Sequence, residues 1–207
     1  MKKGMCIAYE VGVGLYINIT NRCTNRCSFC IRNNADGAYG SDSLWLEREP
    51  DTDEILKAIF SKNLEKYDEI VFCGYGEPAE RLEIAVLVAK QIRKKTRLPI
   101  RINTNGQSDL ILGRDTSEMF SVFDTVSVSL NAPNSARYDE ICHSVYKEKA
   151  FESILKFAEN VKKCVQNVHF SVVKDFLSEE EIEQCREISQ SLGIPLRIRD
   201  YISSETP

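Results

Sequence analysis

Short apolar runs alternate with helical patterns along the whole chain, and this order restricts the fold more than any other feature. Strands that alternate with helices pair in parallel through right-handed crossovers, so an α/β fold is predicted. The chain has 207 residues and no linker or low-complexity tract, which predicts a single domain over 1–207. The strand-like runs cover 15–19, 69–73, 100–103, 125–130, 168–173 and 196–198. The helical patterns cover 53–66, 81–95, 116–120, 150–163 and 179–192.

Several of the predicted strands alternate apolar and polar residues instead of being apolar throughout. One face of the sheet should therefore pack on helices while the other is polar. If the sheet curls, the polar face lines a lumen, which predicts a partial (βα)6 TIM-like barrel with a ligand site inside. An antiparallel sheet with one wet face is the alternative. The polar-face positions are Arg101, Asn103, Ser127, Ser129, Asn131, His169, Ser171, Arg197 and Arg199.

Composition and charge exclude few partners but favour none. Lys and Arg number 27 against 31 Asp and Glu, a net charge of −4, so the balance gives no support for a nucleic-acid groove or an anionic membrane. Residues 1–10 contain no apolar stretch of the length that a secretory signal needs, and the longest apolar run, 84–89, is far shorter than the ~20 residues of a membrane span. We therefore expect a cytoplasmic protein without a membrane partner.

Two connections between elements are longer than an α/β fold requires. Residues 20–51 separate the first strand from the first helix, where about two to six residues would suffice. A second long connection, 131–149, follows the fourth strand. Loops of this length are usually functional. Residues 31–50, which contain Trp45, and 132–149 are the candidates for a lid, and both are polar enough to be surface loops instead.

Three of the eight cysteines are crowded into the first long loop. Cys23, Cys27 and Cys30 can together wrap one compact inorganic centre, and the loop carries Arg22 and Arg26, which would favour thiolates. A [4Fe–4S] cluster held by three cysteines keeps one iron open to another donor. A zinc site is the competing interpretation, and a buried helical face of cysteines is a third. The remaining cysteines are scattered singly: Cys6, Cys73, Cys142, Cys164 and Cys185.

The spacing Cys23-x3-Cys27-x2-Cys30, with Phe29 before the last cysteine, resembles the signature of the radical S-adenosylmethionine (SAM) superfamily. The resemblance implies that the three cysteines bind a [4Fe–4S] cluster and that SAM binds to its open iron. It also implies reductive cleavage of SAM to methionine and a 5′-deoxyadenosyl radical, which abstracts hydrogen from a substrate.

Further motifs support the same resemblance from Leu15 to Tyr201. Gly74-Tyr75-Gly76-Glu77-Pro78 is similar to the glycine-glycine-glutamate-proline motif of the family, which implies that this backbone and Glu77 hold the amino group of SAM. Glycine permits close approach to a ligand, and a carboxylate complements an ammonium group. The resemblance implies ribose and carboxylate contacts for Asn103, Ser129 and Asn131. Ser171 and Arg199 lie on the equivalent face of the next two strands and are further candidates for cofactor contacts, although a polar residue of the lumen can instead meet substrate or water.

The resemblance also suggests partners. The brevity of the chain and the lead-in to Cys23 are most similar to the radical SAM proteins associated with TatD-type nucleases. An electron donor such as flavodoxin or ferredoxin is implied. Six βα units leave a lateral opening where eight would close, so we expect a bulky substrate such as a peptide, a protein segment or a nucleic-acid end. A glycyl-radical activase and a non-catalytic zinc-binding domain are the alternatives.

Overall fold

Seven β-strands form one sheet, and their order in space is the order along the chain. The structure is a computed structural model that describes residues 3–201, so both ends of the domain predicted over 1–207 extend beyond the described part. Strands β2 to β7 are parallel, and each one pairs with the next. The strands are β1 Ala8–Val11, β2 Gly14–Ile17, β3 Glu69–Phe72, β4 Ile100–Thr104, β5 Thr125–Ser129, β6 Asn167–Val173 and β7 Leu196–Arg199.

The six predicted strands are confirmed, and the prediction missed β1. This strand pairs antiparallel with β2 through a tight turn, with Val11 opposite Gly14. Gly12 makes the turn with a φ of +56°, a left-handed conformation that favours glycine. Four residues with one charged member give too weak a pattern for a sequence-based strand. The sheet is thus mixed but mostly parallel.

Six α-helices in the described residues connect and cover the strands. Those over 82–93, 149–161 and 179–192 confirm predicted helices. Capping boxes at Asp51 and Ser178 begin the first and the last of the six. The predicted 116–120 helix is a 3-10 helix, Ser117–Val122, and the 53–66 helix ends at residue 60. Two short helices were missed: one between β4 and the 3-10 helix, and one within the second long connection. The helices are α1 Thr52–Phe60, α2 Leu82–Arg93, α3 Ser108–Leu112, α4 Ser135–Cys142, α5 Lys149–Val161 and α6 Glu179–Leu192.

The core lies between the apolar face of the sheet and the helices. Ile70, Ile102, Val126 and Phe170 are fully buried there, at alternate positions of neighbouring strands. The polar positions point to the opposite face, which confirms the predicted partial barrel with a polar lumen. Within residues 3–201, β1 and β7 do not pair, so the barrel is open along one side. No helix of the described part is long and apolar enough to cross a bilayer.

Candidate active site

A cavity of about 600 Å³ lies at the ends of the parallel strands, between the lumen and the cysteine loop. Active sites of α/β folds occur at the carboxyl ends of parallel strands because the loops converge there. Every residue predicted to hold the cluster or SAM lines this one cavity. They are Cys23, Cys27, Phe29, Cys30, Gly74, Tyr75, Gly76, Glu77, Asn103, Ser129, Asn131, Ser171 and Arg199.

The three cysteines of the loop are free thiols that are partly exposed to this cavity. Burial raises the pKa of Cys23 to about 12 and also raises that of Cys30. A hydrogen bond with Cys142, together with burial, raises the pKa of Cys27. Arg32 opposes the increase at all three sites. In the absence of a metal the three thiols are therefore protonated. The positive charge of Arg32 acts in the opposite direction and favours the thiolate form.

The cation that acts on the thiols differs from the two that the sequence suggested. Arg22 forms ion pairs with Glu49 at 2.8 Å and Glu80 at 3.5 Å, so its charge is already matched. Arg26 is exposed. Arg32 lies two residues after Cys30 and donates a hydrogen bond to the Asn25 carbonyl at 2.9 Å, which keeps it beside the cysteine loop.

The donor set fits an iron–sulfur cluster, because cysteine thiolates are the ordinary ligands of such clusters. The three thiols of the loop face one cavity, with no disulfide between them. Across residues 3–201, no three His, Cys, Asp or Glu side chains form a ready-made site for a single metal ion.

Buried hydrogen bonds fix the cysteine loop in place. Asn105 donates to the Thr24 hydroxyl at 2.8 Å, and Gln107 donates to the Asn25 side-chain carbonyl at 2.9 Å. The amide of Asn25 donates to the Tyr138 hydroxyl at 2.8 Å. These residues join the loop to the end of β4 and to α4. Sequence reasoning missed them, although the polar Thr24 and Asn25 between cysteines were a signal that this segment is not an ordinary helix.

The second long connection supports the cysteine loop from the other side. The backbone N–H of Arg26 donates to the Cys142 carbonyl and that of Ser28 to the Ile141 carbonyl, each at 2.9 Å. Val145 donates to the Thr24 carbonyl at 2.9 Å. Residues 132–149 are therefore a support that includes α4, and not a lid.

The glycines after β3 are required by contacts inside the protein. A Cβ at Gly74 would lie 2.2 Å from Oδ1 of Asn18, and one at Gly76 would lie 2.3 Å from the Thr20 carbonyl oxygen. Both distances are prohibitive. The N–H of Glu77 also donates to the Arg22 carbonyl at 2.7 Å. The turn is thus packed against the start of the cysteine loop, while its other side lines the cavity.

Glu77 is 5% exposed and is bound by its own chain. Its carboxylate accepts hydrogen bonds from the Thr104 hydroxyl at 2.7 Å, from the Asn105 N–H at 2.7 Å and from the Ala79 N–H at 3.0 Å. Burial outweighs these bonds and raises the pKa of Glu77 to about 7. The side chain therefore ties the turn to β4, and its predicted contact with SAM remains a prediction.

Polar groups along the lumen retain unused bonding capacity. Asn131 has a φ of +60°, and its buried Oδ1 atom has no hydrogen-bond partner within the described residues. The Nε atom of Arg199 is likewise buried without a partner in that part of the chain. Asn103 differs, because its Oδ1 atom accepts a bond from Arg101 at 2.9 Å. An acceptor and a donor are thus available to a ligand.

Residues 31–50 form a packed wall of the cavity. The Tyr75 hydroxyl donates to the Ala35 carbonyl at 2.8 Å, and its ring meets Trp45 edge-on with centroids 5.3 Å apart. Leu44 and Leu46 are buried on either side of Trp45. Trp45 thus packs the lid candidate 31–50 against the turn after β3.

Three aromatic rings, Phe29, Phe176 and Tyr201, connect the cysteine loop to the end of the last strand, and we call them the aromatic clasp. Their centroids are 5.3 Å apart in both successive pairs. The Tyr201 hydroxyl also bonds to the Asn34 side chain at 3.0 Å. Phe29 thus lines the cavity and joins its two sides.

Known proteins share both this sequence and this fold. The chain is 27% identical to GTP 3′,8-cyclase of Clostridium perfringens over 171 residues, which are 82% of this chain and 49% of that protein. It is 27% identical to molybdenum cofactor biosynthesis protein 1 of Dictyostelium discoideum over 195 residues, 91% of this chain and 28% of that protein. The chain thus spans about half, or less, of these curated relatives.

Solved structures agree on the fold. SuiB of Streptococcus suis bound to the precursor peptide SuiA superposes with a TM-score of 0.67 at 17% identity, covering 92% of this chain and 39% of that chain. SuiB bound to S-adenosylmethionine gives a TM-score of 0.66 at the same identity, covering 94% and 40%. The profile of the radical SAM superfamily matches residues 17–187, which is most of the chain. This protein therefore belongs to the radical SAM superfamily of enzymes.

Proposed function

We propose that Cys23, Cys27 and Cys30 bind a [4Fe–4S] cluster and that the adjoining cavity holds SAM. The observation that carries the proposal is the convergence of three free thiols and all the predicted SAM-contacting positions on one cavity. When bound and reduced, the cluster supplies an electron that cleaves SAM to methionine and a 5′-deoxyadenosyl radical for hydrogen abstraction from the substrate. The superfamily in general uses both cofactors.

The chain's own residues bind and orient SAM in this proposal. The Gly74–Gly76 backbone offers polar groups beside the cysteines, on a turn that Glu77 ties to β4. Asn131 offers a buried acceptor, and the hydroxyl groups of Ser129 and Ser171 make no side-chain hydrogen bonds within residues 3–201. A ligand with hydroxyl groups can bond to these sites, and the Oδ1 atom of Asn131 otherwise costs free energy because it is desolvated without a partner.

We further infer that the substrate is bulky and approaches from the open side of the barrel. Val11 of β1 and Arg199 of β7 line the same cavity although their strands do not pair. The cavity thus reaches the gap between the two edges of the sheet. A peptide, a protein segment or a nucleic-acid end fits such a gap, and the SuiB complex with a precursor peptide is a precedent for the fold. Flavodoxin or ferredoxin is the proposed electron donor.

Anaerobic reconstitution with iron and sulfide, followed by reduction with SAM present, tests the proposal. We expect bound iron and sulfide in a four-to-four ratio, as the cluster formula requires, and formation of 5′-deoxyadenosine. Cys27→Ala should lose both, whereas Cys164→Ala, at a cysteine that does not line the cavity, should keep both. Full iron content in Cys27→Ala, or loss of iron in Cys164→Ala, would contradict the assignment.

A further inference from the structure

Two arginines on β7 face the cavity without any acidic partner. Arg197 and Arg199 both line it, on the same face of the strand, and Arg197 lowers the pKa of Arg199 by repulsion in addition to the larger effect of burial. Neither side chain forms a hydrogen bond or an ion pair with a residue in the described range 3–201, and the Nε atom of Arg199 is buried. Arg197 is exposed to solvent, whereas Arg199 is part-buried, so the uncompensated charge is chiefly that of Arg199. A part-buried guanidinium group without a counter-ion, next to a second positive charge, favours an anion.

The cavity contains no free carboxylate to neutralise them. Among the described residues that line it, Glu77 and Asp200 are the acidic ones. Glu77 is bound by Thr104 and Asn105, and Asp200 pairs with Lys174 at 2.5 Å. The counter-ion of the two arginines must therefore come from outside this set.

Arg101 shows how an arginine of the same lumen is satisfied when no ligand is needed. Its guanidinium group binds Glu69 at 2.6 and 3.0 Å and donates to the Tyr16 hydroxyl at 3.2 Å. The contrast with Arg199 indicates that the missing partner of Arg199 is a specific feature of β7, and is not a general property of the lumen.

Tyr39 adds a hydroxyl group on the other side of the gap. It lines the cavity, interacts electrostatically with Arg199, and has a φ of +53°. This conformation costs about 1 kcal/mol for a residue with a Cβ, and such strain is concentrated at functional sites. Its hydroxyl makes no hydrogen bond within residues 3–201. It is therefore free to donate to a ligand, as the two guanidinium groups are.

We propose that Arg199, with Arg197 and Tyr39, binds an anionic group of the substrate, a phosphate or a carboxylate. That this anion belongs to the substrate rests on the proposed function. Guanidinium groups bind both anions through paired N–H donors. The geometry therefore indicates a negatively charged group and does not distinguish a phosphate from a carboxylate. The anion would sit beside β7 and Tyr39.

The test is calorimetric titration of the anaerobically reconstituted protein with inorganic phosphate and, separately, with malonate, in the presence and absence of saturating SAM. We expect saturable binding of at least one anion. Arg199→Gln should weaken it at least tenfold, as expected for loss of a charge-assisted bond. Arg186→Gln, an exposed arginine of α6 that pairs with Glu183, should bind like the wild type. The stronger of phosphate and malonate identifies the chemistry.

Three results would overturn the assignment: no saturable anion binding, equal binding by Arg199→Gln, or displacement of the anion by SAM together with weaker SAM binding in Arg199→Gln. The last would make Arg199 a ligand of the SAM carboxylate. Cys27→Ala separates the two proposals, because it lacks the cluster and should still bind the anion. If the proposed cluster does not form, the anion-binding measurement can still be interpreted.

Discussion

The two ends of the cavity differ in how their polar groups are satisfied. At the cysteine end, Glu77, Asn25 and Asn105 are buried, and the protein's own donors and acceptors complete their hydrogen bonds. At the β7 end, Arg199 is partly buried and unpaired within the described chain, with Arg197 beside it. A site that must hold a fixed cofactor is built rigidly in advance, whereas a site for a passing substrate keeps its charge unmatched until that substrate arrives.

The largest effect that the comparison predicts is at the cysteine end. Glu77→Ala leaves the donors of Thr104 and Asn105 buried without an acceptor, so it should lower the free energy of unfolding by about 3 kcal/mol. Urea denaturation at constant pH measures the change. Glu180→Ala, in the exposed first turn of α6, is the control and should change stability by less than about 0.5 kcal/mol.

Two Tyr→Phe variants test the same comparison with one type of substitution, the loss of a hydroxyl group. Tyr138→Phe removes a buried hydroxyl that accepts hydrogen bonds from both Asn25 and Gln107, and should destabilise the protein by about 2 kcal/mol. Tyr201→Phe removes a part-buried hydroxyl that contacts Asn34, and should cost about 0.5 kcal/mol. Equal losses in thermal or urea unfolding would show that the buried network is no stronger than a surface contact.

At the β7 end, by contrast, a substitution should raise the free energy of unfolding. Arg199→Gln removes a desolvated charge that has no partner, so in the absence of ligand it should stabilise the protein by about 1 kcal/mol. Arg186→Gln, at the surface, should be neutral. Denaturation of both variants in phosphate-free buffer measures the difference. A clear loss of stability in Arg199→Gln would mean that the charge is already compensated, and the contrast between the two ends would fail.

The smallest effect concerns His169, whose pKa is lowered by burial first and then by repulsion from Arg101, Arg197 and Arg199. Because its folded pKa is depressed, His169 contributes stability above the unfolded value of about 6.5, and this is lost as the pH falls through the folded pKa. Arg199→Gln should raise the pKa of His169 in an NMR titration, and Lys174→Gln should not. His143, the other histidine of the chain, is the internal reference.

Periodicity predicted most of the fold. The alternation of Val126, Ser127, Val128 and Ser129 identified the buried and polar faces of β5 because side chains of a strand alternate strictly. The short elements β1, α3 and α4 were missed, because so few residues form no clear pattern of their own. Helix α4 begins at a cap, with Asn134 accepting from the Arg137 N–H, and this signal is too common to identify a helix alone.

Local motifs predicted which residues lie around the cavity. They could not predict the contacts between residues that are far apart in sequence. The cysteine spacing indicated a site before any contact was known. The hydrogen bond from Asn25 to Tyr138 spans 113 residues and leaves no trace in local sequence. The glycines at 74 and 76 were assigned to ligand approach, whereas the contacts of their missing Cβ atoms are with Asn18 and Thr20. A sequence motif thus predicts where a site lies. The contacts that require its residues become known only from the folded structure.

The aromatic clasp has a consequence for the order of folding. Its polar contact joins Asn34 to Tyr201, which are 167 residues apart in sequence. During synthesis the cysteine loop emerges early, but Phe29 cannot meet Phe176 and Tyr201 until nearly all the described chain has left the ribosome. The thiols of a nascent chain are therefore open on that side to reagents and metal ions. In the proposed function, assembly of the metal centre therefore has the greatest access before the last strand docks.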